Sequence, residues 1–190
     1  MTARNSTTVS NGVPGRRAFQ TQLNEALKAA LARDGEGALM FIQLDGFRLV
    51  TEIFGDASAG QLVRAAAERI ARSVRPGDTV AHMGENEFTV VLSEVSEADD
   101  AVRIAEKILN ALVEPFQLGG QESYVAASLG VAVFPRDGGD YQTLLKNADA
   151  AMYSAKGEAG SSYKLYTPEM RRTVARKPAL DKGLRRAIEN

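Results

Sequence analysis

The 190-residue sequence predicts one α/β (α+β) domain, with a central, mostly antiparallel sheet of ferredoxin-like core covered by helices. Three observations predict it. Apolar runs of strand length come in pairs around polar tips. Helical patterns separate those pairs. The composition, 44% hydrophobic and 25% charged, can bury a core.

Met1 to Gly12 is rich in Ser, Thr and Asn, and residues 1–12 read as a loosely held, flexible tail. Pro14 and Gly15 open a helix whose apolar positions Phe19, Leu23, Leu27 and Leu31 recur every four residues; Asp34-Gly35 ends it. Ala38 to Leu44 is a strand punctuated by Asp45-Gly46. Helical periodicity covers Phe47 to Phe54 and resumes from Ala59 to Val74, stopping at Arg75-Pro-Gly-Asp78. Thr79 to Leu92 reads as a hairpin turning at Gly84-Glu-Asn-Glu87.

Glu97 to Leu112 is an amphipathic helix. Pro115 to Leu118, Gly119-Gly120 and Ser123 to Phe134 read as a second hairpin. A helix over Asp140 to Lys156 and a strand over Tyr163 to Tyr166 complete the domain. Phe41, Phe47, Phe54, Phe88, Met40 and Met152 fall at apolar-periodic positions and are assigned to the core. From Pro168 to Asn190 seven basic residues face three acidic ones, and Leu180, Leu184 and Ile188 recur every fourth position. That pattern reads as a solvated linker helix, with a binding patch as the alternative.

Composition narrows the function. With no cysteine, disulfides, thiolate catalysis and Cys-based zinc sites are excluded. His82 is the single histidine, and in a strand it reads as structural; a His-rich metal site has no donors. A net charge of −1 argues against general nucleic-acid binding. The longest apolar run, Ala38 to Ile42, is far too short to span a bilayer, and no secretory signal opens the chain, so a cytoplasmic domain is expected.

The hairpin Ala81-His-Met-Gly-Glu-Asn-Glu-Phe88 resembles the signature hairpin of the GGDEF family, the diguanylate cyclase domains with a nucleotide-cyclase-like fold. Other blocks follow the family in order. Asn11-Gly-Val-Pro-Gly-Arg-Arg-Ala-Phe19 resembles its opening, and Gln43-Leu-Asp-Gly-Phe-Arg48 resembles its "DLDGFK". Arg75-Pro-Gly-Asp78 stands where the family carries an inhibitory RxxD motif. Ala127-Ser-Leu-Gly-Val131 and Asn147 to Lys156 resemble two later blocks. Tyr166-Thr-Pro-Glu-Met170 and the basic helix after it resemble the connector to an EAL phosphodiesterase domain. The expected organisation is a tail over 1–12, a GGDEF domain over 13–167, and a linker over 168–190 leading to an EAL domain; the alternative is a stand-alone chain with a carboxy-terminal helix.

The resemblance implies a reaction that this chain is poorly equipped to run. Active members join two GTP molecules into cyclic di-GMP, a phosphoryl transfer helped by Mg²⁺ on carboxylate oxygens. The two family carboxylates fall at Gln43 and Asn86, both neutral amides. Asp45 and Glu87 are retained, and strand alternation is expected to turn Glu85 and Glu87 away from Asn86. Glu85 stands where the family has the second glycine, after Gly84, and sets a negative charge where a triphosphate would pass. The guanine-reading Asn and Asp fall at Thr51 and Gly60. The phosphate-holding lysine survives as Lys156, a residue that an exposed helix end also explains, while its companion arginine falls at Gly160.

The expectation is therefore a degenerate domain with no catalytic residues, no Mg²⁺ and doubtful GTP binding. Gly84, Glu85, Thr51, Gly60 and Lys156 form a vestigial nucleotide site. Arg75 and Asp78 are the candidate cyclic di-GMP site, a fork for phosphate and an acceptor for a guanine edge. Arg-Pro-Gly-Asp also suits a plain helix-to-strand turn. The family's site takes a second arginine from a partner surface, and none is assigned by the sequence. The expected role is regulation of an attached EAL domain. The competing readings are a ligand-free dimerisation module, as a homodimer, and residual cyclase activity resting on Asp45, Glu85 and Glu87.

Overall fold

The computed structural model describes residues 9–10, 13–156, 158 and 160–171. Two short strands, β1 (Val9–Ser10) and β2 (Val13–Pro14), pair antiparallel. Val9 and Ser10 therefore leave the expected tail, whose remaining residues lie outside the described ones. Next come α1 (Arg16–Ala32), β3 (Glu36–Leu44), α2 (Phe47–Ser73), β4 (Thr79–Gly84) and β5 (Glu87–Val95). They are followed by α3 (Ala98–Val113), β6 (Phe116–Leu118), β7 (Gln121–Ser123), β8 (Ala127–Phe134), α4 (Tyr141–Ala155) and β9 (Ser162–Leu165). Within α2 the two helical patterns expected on either side of residue 55 stand as two segments, broken at Gly55, whose φ of 77° is a conformation that side chains other than glycine rarely take.

The main sheet has the order β4-β5-β3-β8-β9, antiparallel except for the parallel pair β8–β9. This is the mostly antiparallel α/β arrangement that the sequence predicts. Strand alternation divides the core between its faces. From β3, Ala38, Met40, Ile42 and Leu44 pack with Leu62, Ala66 and Ile70 of α2 and with α3. Leu39 and Phe41 point the other way, toward Phe19 and Leu23 of α1 and Met152 of α4. A strand covered on both faces reads as an unbroken apolar run, which is how it looks in the sequence.

Two expectations are corrected. The segment 115–134 is not one hairpin: β6 pairs only with β7, and β8 belongs to the main sheet between β3 and β9. All eight residues of β8 are buried, which a surface hairpin could not provide, while Gln121 and Glu122 of β7 are exposed. Leu31, the fourth of the apolar positions spaced along α1, is 60% exposed. Steps of four drift by 40° each around a 3.6-residue helix, so the fourth apolar residue has walked off the buried face. Ala26 and Ala30 fill that face instead. Phe47 and Phe54, expected in the core, are only half-buried at the margin of the α2–α3 side of the core, whereas Phe88 is fully enclosed. Beyond Arg171 the predicted linker helix lies outside the described residues.

Candidate functional site

The end of β3 and the β4–β5 turn meet at one end of the sheet. Glu85 and Asn86 form the two-residue turn, with Gly84 paired to Glu87 across it. Gln43 stands directly opposite Glu87 in the β3–β5 register. The Leu44 N–H donates to the Asn86 carbonyl at 3.0 Å, and Asn86 Nδ2 donates to the Leu44 carbonyl at 2.7 Å. This reciprocal pair ties the turn to the strand end. Gln43 Nε2 donates to Glu87 Oε1 at 3.4 Å. Contrary to the alternation rule, Asn86 and Glu87 both engage the end of β3, because a turn residue has no strand face to keep. Glu85 is exposed.

Asp45 lies one residue beyond β3. Ser128 Oγ, on the neighbouring β8, donates to Asp45 Oδ2 at 2.8 Å, and Lys156 Nζ at the carboxy end of α4 lies 3.6 Å from Oδ1. Lys156 is thus an ion-pair partner rather than only a solvated helix end. Ser128 belongs to the family block Ala127-Ser-Leu-Gly-Val131, and its buried place on the strand beside β3 follows from the topology alone. Among the described residues no group of three or more His, Cys, Asp or Glu side chains is arranged to hold a metal ion.

Thr51 and Gly60 lie on α2, either side of the kink. The Thr51 hydroxyl donates to the Phe47 carbonyl at 3.1 Å, an ordinary contact within a helix. A Cβ at Gly60 would stand 3.6 Å from Arg64 Nη1, so a cation lies beside the position where the resemblance places a carboxylate. His82 pairs with Phe88 across the hairpin, its ring 5.1 Å from the phenyl centroid, and its buried Nε2 has no hydrogen-bond partner among the described residues.

The Arg75–Asp78 turn lies between α2 and β4, apart from the Gln43–Asn86 cluster. Asp78 Oδ2 accepts the Arg75 N–H at 3.0 Å, Asp78 Oδ1 accepts the Ser93 N–H at 3.3 Å, and the Asp78 N–H donates to the Arg75 carbonyl at 3.0 Å. The aspartate therefore closes the turn and fastens it to β5. The Arg75 side chain is exposed and makes no hydrogen bond or ion pair among the described residues. A separate shallow cavity of about 430 Å³ opens between α3 and β9, lined in part by Glu106, Asn110, Glu158 and Tyr163. None of the predicted site residues lines it.

Comparison with known proteins agrees with this geometry. A family model described as "Diguanylate cyclase, GGDEF domain" matches residues 9–162. The chain is 36% identical over 177 residues to the bifunctional diguanylate cyclase/cyclic di-GMP phosphodiesterase MucR of Pseudomonas aeruginosa, covering 93% of this chain and 26% of MucR. It is 32% identical to the cyclic di-GMP phosphodiesterase PdeR of Escherichia coli, covering 94% of this chain and 27% of PdeR. The chain thus spans about a quarter of those relatives. The crystal structure of the GGDEF domain of TpbB (YfiN) from Pseudomonas aeruginosa superimposes with a TM-score of 0.80 at 32% identity, over 83% of this chain and 98% of that one. With the hairpin, the sheet order and the matched span in agreement, the chain belongs to the GGDEF family of cyclic di-GMP signalling domains.

Proposed function

We propose that this domain is a regulatory module without cyclase activity, which modulates an attached EAL phosphodiesterase domain in the cytoplasm and binds cyclic di-GMP at Arg75 and Asp78. The observation that carries the first part is the internal use of the polar groups at the end of β3. Asn86 spends its amide on Leu44, Gln43 spends its own on Glu87, and Asp45 is paired with Lys156.

Mg²⁺ wants hard, anionic oxygens in near-octahedral array. The donor set here does not suit it: two positions are neutral amides, and the nearby Asp45 carboxylate already faces an ammonium group. Glu85 and Arg64 add support, the first by opposing a triphosphate and the second by setting a cation where a guanine N–H edge would need an acceptor. No reaction step is assigned to these residues. For the attached domain, the support is that the chain matches about a quarter of MucR and PdeR, both named as phosphodiesterases.

Two measurements test the reading. Incubation with GTP and Mg²⁺ or Mn²⁺ is expected to yield no cyclic di-GMP; product formation that falls in Glu87→Ala would establish residual catalysis instead. In a longer protein that contains this domain, deleting the residues before Pro168 is expected to change phosphodiesterase rate or oligomeric state. No change in either would remove the regulatory role.

A further inference from the structure

The first segment of α2, residues 47–54, has two unlike faces. Phe47, Val50 and Phe54 turn inward and pack against the core on the α2–α3 side of the sheet. The outward face is built from Arg48, Leu49, Glu52 and Ile53, all of them exposed. Single apolar side chains on a surface are ordinary. Leu49 and Ile53, however, are 58% and 62% exposed and stand one helical turn apart, so they form a stripe.

A charged stripe runs beside the apolar one. Arg48 Nε donates to Glu52 Oε1 at 2.8 Å, with both side chains in solvent. Such an exposed pair adds little to the helix that carries it, so its two ends are free to exchange partners. Thr51, the position aligned with guanine reading, lies on another flank of the helix, where its hydroxyl bonds the Phe47 carbonyl. The outward face is therefore separate from the vestigial nucleotide position on the same segment.

This face is complementary to itself. A second copy laid antiparallel across it, about a two-fold axis through the middle of the segment, sets Leu49 of each chain against Ile53 of the other. The same operation sets Arg48 of each chain against Glu52 of the other. Each contact occurs twice, apolar on apolar and cation on anion, and no like charges meet.

We infer that the outward face of residues 47–54 is a homodimer interface, closed about a two-fold axis by reciprocal Leu49–Ile53 contacts and reciprocal Arg48–Glu52 ion pairs. It needs no nucleotide and no part of the Arg75–Asp78 turn. The face is small, so the dimer is a reversible one, strengthened wherever a longer protein holds two copies near each other.

Sedimentation of the whole chain without nucleotide, at concentrations up to about 1 mM, tests it. The wild type is expected to dimerise reversibly. Leu49→Asp combined with Ile53→Asp should weaken the dimer at least tenfold, with little change in melting temperature because both positions are exposed. Arg48→Glu sets like charges at both reciprocal contacts, and so does Glu52→Arg; each variant alone should also be at least tenfold weaker. Mixed in equal amounts, the two should recover association as a one-to-one heterodimer, because the acidic stripe of one then meets the basic stripe of the other. Neither chain regains its internal ion pair on mixing, so recovery reports contact between copies rather than repair of the helix. Leu31→Asp, at a comparably exposed leucine on α1 across the sheet, should dimerise like the wild type. A wild type that stays monomeric throughout would overturn the inference, as would a dimer that survives the double Asp substitution. A mixture no better associated than its components would overturn it too. None of these outcomes bears on cyclic di-GMP binding at Arg75 and Asp78.

Discussion

The Asn86 amide donates to the Leu44 carbonyl at 2.7 Å, a bond that an ionised carboxylate at the same position cannot make. Asn86→Asp would place a carboxylate oxygen against a carbonyl oxygen in a half-buried turn. The expected cost is about 1–3 kcal/mol of stability at neutral pH, the usual penalty for stranding a buried polar group. The deficit should shrink once the introduced carboxyl is protonated, because an acid O–H can donate again. Urea midpoints of both proteins at neutral and acidic pH would check it; equal midpoints at neutral pH would mean that the bond contributes nothing. Which residues occupy the site was legible from motif register alone, since Gln43, Asn86, Asp45 and Lys156 all fall at one end of the sheet. Their partners were not legible. Whether Lys156 is solvated or paired depends on where α4 ends above β3 and β8, a matter of packing that no local pattern encodes.

Element by element, close approach and capping fix the geometry. A Cβ on Gly130 of β8 would lie 2.0 Å from the Ala148 carbonyl oxygen and 2.2 Å from the Met152 nitrogen, so the backbone of α4 rests directly on the strand. Gly130→Ala must push the helix away from the sheet, and with it Lys156. The expected loss is about 3 kcal/mol, at the upper end for overpacking, read from chemical denaturation. A loss below about 1 kcal/mol would show that α4 shifts freely. At α3 the Glu97–Asp100 capping box closes the amino end. The hydrogen bond from Arg103 first, then the Ser96 N–H, hold the Asp100 carboxyl below the usual carboxylate range. A group with a depressed native pKa stabilises the fold above its unfolded pKa, and that contribution disappears as pH falls through the native value. Asp100→Asn should therefore lower the melting temperature at neutral pH and make no difference once both carboxyl states are protonated; a gap that persists in acid would contradict the assignment. The helices themselves were legible as periodicity, but the boundary between β7 and β8 was not, because a Gly-Gly turn and a following apolar run read alike for a surface hairpin and for a strand entering the core.

On the scale of the whole molecule, one sheet carries two helix layers, and every strand of its centre contributes to both. Leu23 of α1 and Leu62 of α2 are each fully buried, on opposite faces of that sheet. Their sequence patterns announce buried helix faces but cannot say that the two faces are separate, which follows from β3 sending alternate residues each way. Leu23→Ala and Leu62→Ala should each cost about 2–5 kcal/mol by cavity formation. With the sheet between them the two cavities share no wall, so the double variant should lose the sum of the single losses to within about 0.5 kcal/mol. Unfolding should nonetheless remain a single transition by far-ultraviolet circular dichroism and by tyrosine fluorescence, because neither layer keeps its core once β3 leaves the sheet. Two separated transitions, or a coupling well above that margin, would mean that the α1–α4 layer and the α2–α3 layer melt as distinct units.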